Sequence, residues 1–448
     1  MKLIFILFLF IGCAQLHTKR SDTKVSILQG LTSSKEVEFS VVALKNRTLR
    51  FELRNEEGKT ITPEDLKVIT REHSEYAVFK MVFFFEQAQD HNIYVFEGDN
   101  LIDQRLIGKG SLTPAKLTLA VASCLNDYET KHFNIWETLL KKDPEYLLLI
   151  GDNVYADRTE KASIVTTPEI LWDRYVDMRL KLPLFFQQKL IATHALWDDH
   201  DYGINDGGAE YPHRISSKEI FEAFWAQDMG NESWTKSFGV GGLLTLGDFN
   251  LYFLDGRSFR NSHPEGSHLG IDQESWLLKN LKDENNPSIL IKGDQFFGGY
   301  HTYESFEGRH PHNFSRFVTS LKELPTPFIF MSGDRHFSEV MQFPRSMFGR
   351  PSFELTSSPI HAFLPLEQED FNPWRVVSVK GKNNFLLINN QAIENHWFME
   401  VESIGSNGEV YFRRELALFI KDLQDNLEEV RKRRSGRRRY YRRPKKRR

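Results

Sequence analysis

At 448 residues the chain exceeds one ordinary domain, and 40% hydrophobic with 27% charged residues describes globular units with a buried core rather than a disordered chain. Two cysteines exclude a disulfide scaffold, and the lack of any apolar run of about 18 residues excludes a polytopic membrane protein. The net charge of −3 is an average: residues 431–448 hold 13 of the 58 Lys and Arg and no acid, so an acidic body carries one basic tail.

The chain begins Met1-Lys2, runs through apolar Leu3 to Ile11 and reaches Gly12-Cys13-Ala14. A basic start, a short apolar stretch and a small-residue cut site predict a secretory signal over residues 1–20. Cys13 after Gly12 resembles the acceptor cysteine of bacterial lipoproteins. That implies a lipid anchor at Cys13 and a place in the cell envelope, on the outer membrane or facing the periplasm. In that oxidising space Cys124 has no partner to bridge, which leaves it buried, reactive or metal-bound.

Over residues 22–115, short alternating runs such as EVEFSVVAL and NIYVFEGD are separated by polar turn clusters. This spacing predicts a small antiparallel β-sandwich of immunoglobulin or fibronectin type, with a structural role. After Pro114 near-continuous apolar runs alternate with helical stretches, the pattern of an α/β unit over 116–415. Its strand-like runs end in metal-capable residues: Cys124, Asp152, Asp199, Asp255, Asp294 and Asp334. Ligands of layered α/β proteins sit beyond the carboxyl ends of strands, and acids gathered there repel one another unless cations neutralise them. Leu416, Phe419, Ile420, Leu423, Leu427 and Val430 recur at helical spacing, which predicts a helix over 416–430 ahead of the tail.

Four segments stand out: Ala122-Ser123-Cys124, Gly151-Asp152-Asn153-Val154-Tyr155, Trp197-Asp198-Asp199-His200-Asp201 and Ser332-Gly333-Asp334-Arg335-His336. Thiolate and phenolate suit a redox-capable transition metal, whereas carboxylate and amide oxygens suit calcium. A bridged pair of cations meets the needs of phosphate ester hydrolysis: an activated water, neutralised phosphoryl charge and a stabilised leaving oxygen. Arg158 and Arg335, the nearest bases, are placed to contact phosphate.

In these four segments, with LDGRSFR (254–260), LGIDQESWLLKNL (269–281) and FELTSSP (353–359), the chain resembles the PhoD-like alkaline phosphatases, a branch of the calcineurin-like metallophosphoesterases. The resemblance implies a layered metallophosphoesterase core of two β-sheets flanked by helices, with a site for iron(III) (Fe3+) and calcium (Ca2+), or failing those a generic divalent pair. It implies Cys124 and Tyr155 as iron ligands, Asp152 as the bridging carboxylate, and Asp199, Asn205, Asp334 and His336 as further ligands. His200 is then poised toward the phosphate. The block after WDDH reads Asp201-Tyr202-Gly203-Ile204-Asn205-Asp206, without the family's adjacent asparagines.

Each residue also has a plainer reading. Cys124 alone would be a small buried hydrophobe, Tyr155 a packing residue and His200 a structural histidine between Asp199 and Asp201. Asp255 and Asp294 read as loop-fixing, Asp198 as a partner orienting a ligand, and Asp157 as either calcium-bound or solvated. The favoured function is a secreted metallophosphatase acting on phosphomonoesters and, through the shared metal core, phosphodiesters. The rivals are a dedicated phosphodiesterase for phospholipid, teichoic acid or nucleic acid, and a non-catalytic envelope protein. The tail 431–448 is expected to be solvated and to bind an anionic polymer such as lipopolysaccharide, lipid headgroups or nucleic acid.

Overall fold

The computed structural model describes residues 25–85, 90–108, 110, 115–159, 163–261, 263–283, 286–301, 303–364 and 371–420. Cys13 with the signal segment, and the basic tail, lie outside them. Among the described residues no helix is long and apolar enough to cross a membrane.

The first strands are β1 (Ser26–Thr32), β2 (Glu36–Leu44), β3 (Leu49–Asn55), β4 (Thr60–Ile61), β5 (Asp65–Thr70), β6 (Tyr76–Phe84), β7 (His91–Glu97) and β8 (Asn100–Leu106). They form two antiparallel four-stranded sheets, β1-β2-β6-β5 and β4-β3-β7-β8. Alternation explains their packing. Val37, Phe39 and Val41 of β2 share a core with Phe51, Leu53, Ile93 and Val95 of the other sheet.

The opposite face of β2 is polar yet buried, because it meets the rest of the molecule. Glu38 accepts the backbone N–H groups of Asp228, Met229 and Asn231, and Ser40 donates to the Phe224 carbonyl. Arg179, wholly buried, donates to the carbonyls of Ser26, Ser40 and Phe224 at 2.8–3.2 Å, with no carboxylate partner among the described residues. Its removal takes a charged donor from three buried carbonyls, of which that of Phe224 keeps the Ser40 hydroxyl. Arg179→Leu is therefore expected to cost roughly 3 kcal/mol or more of stability, read as a lowered melting temperature.

The second unit runs β9 (Lys116–Ala122), α1 (Asn134–Lys141), β10 (Tyr146–Ile150), α2 (Pro168–Lys181), β11 (Ala192–Leu196), α3 (Asp199–Tyr202) and α4 (Arg214–Phe224). It continues β12 (Trp234–Lys236), β13 (Gly242–Leu246), β14 (Phe249–Phe253), α5 (Ile271–Asp283), β15 (Ser288–Ile291), α6 (Phe306–Arg309) and α7 (Pro311–Leu321). Then come β16 (Phe328–Ser332), β17 (Ser338–Phe343), α8 (Arg345–Phe348), β18 (Ser352–Thr356), β19 (Arg375–Val379), β20 (Asn384–Ile393), β21 (His396–Gly405) and β22 (Val410–Phe419). They build a six-stranded sheet, β11-β10-β9-β20-β21-β22, and an eight-stranded one, β12-β13-β14-β15-β16-β18-β17-β19. The chain is thus a mixed α/β protein.

Strand alternation assigns the faces of the larger sheet. Phe249, Leu251, Phe253, Ile289, Ile291, Ile329 and Met331 join one core with Leu119, Val121, Leu148 and Ile388 of the smaller sheet. The intervening Tyr252, Leu290, Phe328 and Phe330 pack instead with Leu277 and Leu281 of α5 and Phe314, Phe317 and Leu321 of α7. The helix residues recur every three or four positions, the spacing of a single helical face. Trp136, Leu171, Trp172 and Phe224 of α1, α2 and α4 belong to the core that includes the smaller sheet.

One expectation is corrected. Leu416 and Phe419 are on strand β22, not a helix, paired with Met399 and His396 of β21. Phe412, Leu416 and Leu418 are buried at even positions, a period of two set by the neighbouring strand. The remainder of the expected helix, from 421, lies outside the described residues.

Candidate metal centre

Parallel pairing of β9-β10-β11 and of β14-β15-β16-β18 puts the carboxyl ends of these strands on one side of each sheet. The two sets of ends meet. Ile360 N–H donates to Ser123 O at 3.0 Å, and Ser123 Oγ donates to Ser357 O at 2.8 Å. The junction admits little bulk: a Cβ on Gly151, whose φ is +113°, would lie 2.7 Å from the Asp198 Cβ, and one on Gly293 would collide with the Asp198 carboxyl.

Cys124, Asp152, Tyr155, Asp199, His200, Asp334 and His336 converge here. Three overlapping groups of ligand atoms, each within 4.8 Å, are Cys124-Asp152-His336, Asp152-Asp199-His200 and Asp198-Asp199-Asp334. Asp152 and Asp199 each belong to two groups, an arrangement suited to adjacent cations sharing carboxylates. The Tyr155 hydroxyl lies 3.1 Å from His336 Nε2, and the Tyr155 side chain packs with Cys124 and Ala362.

The backbone is strained at these residues. Cys124, Asp152, Asp334 and His336 have φ of 59°, 53°, 64° and 53°, and neighbouring Asp206 has 56°; only Asp143 and Glu394 share this trait among the other described non-glycine residues. A left-handed non-glycine residue costs about 1–3 kcal/mol, so its persistence requires compensation from its surroundings.

The electrostatics point the same way. Burial, then the Asp334 charge, pushes the Cys124 thiol up to about 12. Burial, followed by Cys124 and Asp199, holds Asp152 well above the carboxylate range, and burial followed by Glu304 and Asp198 does the same to Asp334. The Tyr155 phenol is raised by burial and by Cys124 and Asp152. Asp199 is the exception: burial would raise it, but His200 and Arg257 hold it well below. Asp198 Oδ2 and Asp334 Oδ2 are buried without hydrogen-bond partners. Anionic donors this crowded are stable together only beside cations, so these residues fit a metal pair.

His200 Nδ1 is 2.7 Å from Asp157 Oδ1, and burial opposed by Asp199 and Asp157 leaves its pKa raised. Asp157 thus fixes the imidazole instead of facing solvent. Arg158 lies at the edge, half-buried, donating to Asn205 Oδ1 at 3.3 Å. Asn205 stands beside Asp206 rather than among the buried donors. Its side chain is exposed and its amide also donates to Asp206 Oδ2, while the Asp206 N–H donates to Asp199 Oδ2 at 2.8 Å. Asp255 accepts from Trp197 Nε1 and the Arg257 N–H, and Asp294 pairs with Arg260 and Lys292; both fix loops.

Three residues escape a reading of the sequence alone. Ser358 Oγ lies 3.0 Å from Cys124 Sγ and accepts the His336 N–H at 2.9 Å. Arg257 binds Asp198 from behind through its Nε. Ser358 and Arg257 sit inside stretches that carry the family resemblance, which is the available signal. Glu304, paired with Arg335, has no such signal.

No family model and no curated protein matches the chain. Among solved structures, that of TT1561 from Thermus thermophilus aligns with 68% of this chain and 99% of its own, at 8% identity and a TM-score of 0.28. A likeness that faint says nothing of activity.

Proposed function

We propose that the chain is a metal-dependent phosphoester hydrolase of the PhoD-like type, with a metallophosphoesterase core, acting on phosphomonoesters and phosphodiesters. The observation that carries this reading is the convergence of thiol, imidazole and carboxylate donors in three groups linked by Asp152 and Asp199, with the Tyr155 phenol beside His336. Cys124, Asp152, Tyr155, Asp199, Asp334 and His336 would hold the metals, iron(III) with calcium by the character of the donors. Bound there, such a pair supplies Lewis acidity and neutralises phosphoryl charge.

The chain's own groups do the rest. With Nδ1 taken by Asp157, His200 keeps Nε2 for a phosphoryl or leaving-group oxygen, in the orientation Asp157 imposes. Arg158 and Arg335 flank the centre as the cations for the ester's anionic oxygens. Envelope location, lipid attachment at Cys13 and capture of anionic polymers by 431–448 belong to the same proposal on the strength of the sequence.

The test is hydrolysis of a panel of phosphomonoesters and phosphodiesters by protein loaded with iron and calcium, before and after chelation. Release of phosphate that chelation abolishes and metal restores is expected. Absence of hydrolysis across the panel, with metal bound, would overturn the proposal.

A further inference from the structure

Described residues between Gln295 and Phe306 are tied to one another. The Tyr300 hydroxyl donates to Gln295 Oε1 at 2.9 Å, Ser305 Oγ donates to Gly298 O at 2.9 Å, and the Phe306 N–H returns to Gln295 O at 2.8 Å. Glu304 is held in place, its N–H donating to His301 Nδ1 at 3.3 Å. The Glu304 carboxylate pairs with the guanidinium of Arg335, the residue between Asp334 and His336. Through Arg335, Glu304 is tied to the segment that carries Asp334 and His336.

Arg335 is also held by its neighbours' rings: its guanidinium carbon is 5.8 Å from the centroid of Tyr300 and 5.9 Å from that of Phe337. A cation so fixed and already paired offers an incoming anion little net charge. Arg257 is likewise committed to Asp198, whereas Arg158 donates to the neutral amide of Asn205. Among the described residues Arg335 is thus neutralised by a carboxylate, whereas Arg158 meets an amide.

We propose that Glu304 determines the substrate class of this site, its pairing with Arg335 favouring singly charged phosphodiesters over doubly charged phosphomonoesters. The inference rests on the phosphoester reading above. At alkaline pH a monoester brings two negative charges and a diester one. The second charge finds the Arg335 guanidinium already neutralised by Glu304, while the diester carries an uncharged alkoxy group in its place. Arg335 touches the ester in this scheme; Glu304 acts through it.

The experiment compares kcat/KM for p-nitrophenyl phosphate and bis(p-nitrophenyl) phosphate, which share a leaving group, using the full metal-loaded chain. Glu304→Gln, Arg335→Met and the double variant are measured beside it. The unaltered protein should prefer the diester. Glu304→Gln should raise the monoester-to-diester ratio about tenfold, the scale of one charge at a partly buried site, and tighten inorganic phosphate binding by a similar factor in calorimetry. Without Arg335 the Glu304 substitution should leave the ratio where Arg335→Met puts it. A monoester preference in the unaltered chain, an unmoved ratio in Glu304→Gln, or the same shift without Arg335 overturns the proposal and spares the phosphoesterase reading. Hydrolysis of neither ester overturns both. Glu304→Ser serves the same comparison should the glutamine variant not fold.

Discussion

Replacing Asp152 by Asn is expected to strip the centre of metal and to lower ester hydrolysis on the order of a thousandfold, the scale of several kcal/mol of lost charge stabilisation. Asp152 sits in two of the three donor groups, so its loss weakens both cation positions at once. Burial and the Cys124 and Asp199 charges hold its carboxyl well above the usual carboxylate range. Metal uptake must therefore displace a proton, and an amide at this position supplies neither the charge nor a second bridging anionic oxygen. Element analysis of the purified variant beside the unaltered protein checks the prediction. Full metal content in Asp152→Asn would show that Asp152 is not shared between cations.

Replacing His200 by Ala should lower turnover about a hundred- to ten-thousandfold while metal content changes far less, because its proposed work is on the ester and not on the metals. Its ring lies among the donors, 4.3 Å from that of Tyr155 between centroids, but its Nδ1 is engaged by Asp157. Asp157→Asn should reproduce part of the loss by releasing the imidazole, since partners that orient a histidine contribute about ten- to a hundredfold in comparable sites. Turnover of both variants at saturating metal, with metal content measured in parallel, provides the check. Loss of metal as severe as the loss of rate in His200→Ala would make it a ligand instead.

How far the site is visible in the sequence depends on whether the cause is local. A strand buried on both faces must be apolar throughout, and its end is where polarity resumes. The runs ending at Cys124, Asp152, Asp199 and Asp334 therefore mark strand ends by composition alone, and the fold gathers those four residues. The same rule marks Asp255 and Asp294, which serve loops. A strand end records where polarity begins, not what the carboxylate faces.

Asp157 shows the limit of local pattern. Its neighbours read equally as solvated or calcium-bound, and its contact with His200 arises only when α3 is packed against the loop after β10. Asn205 and Asp206 are adjacent in the chain, but the left-handed turn at Asp206 leaves the Asn205 amide outside while the Asp206 N–H meets Asp199. At the end of the described chain, the apolar positions from Leu416 onward fit a helix when read alone. Pairing with β21 imposes a period of two on that segment, because its register is decided by backbone hydrogen bonds to a strand earlier in the chain, where Met399 stands opposite Leu416. The sequence by itself determined the strand ends and the donors they carry, since burial and chain direction act locally. Which donors face one another, and which cation Glu304 neutralises, was decided by the packing of distant loops.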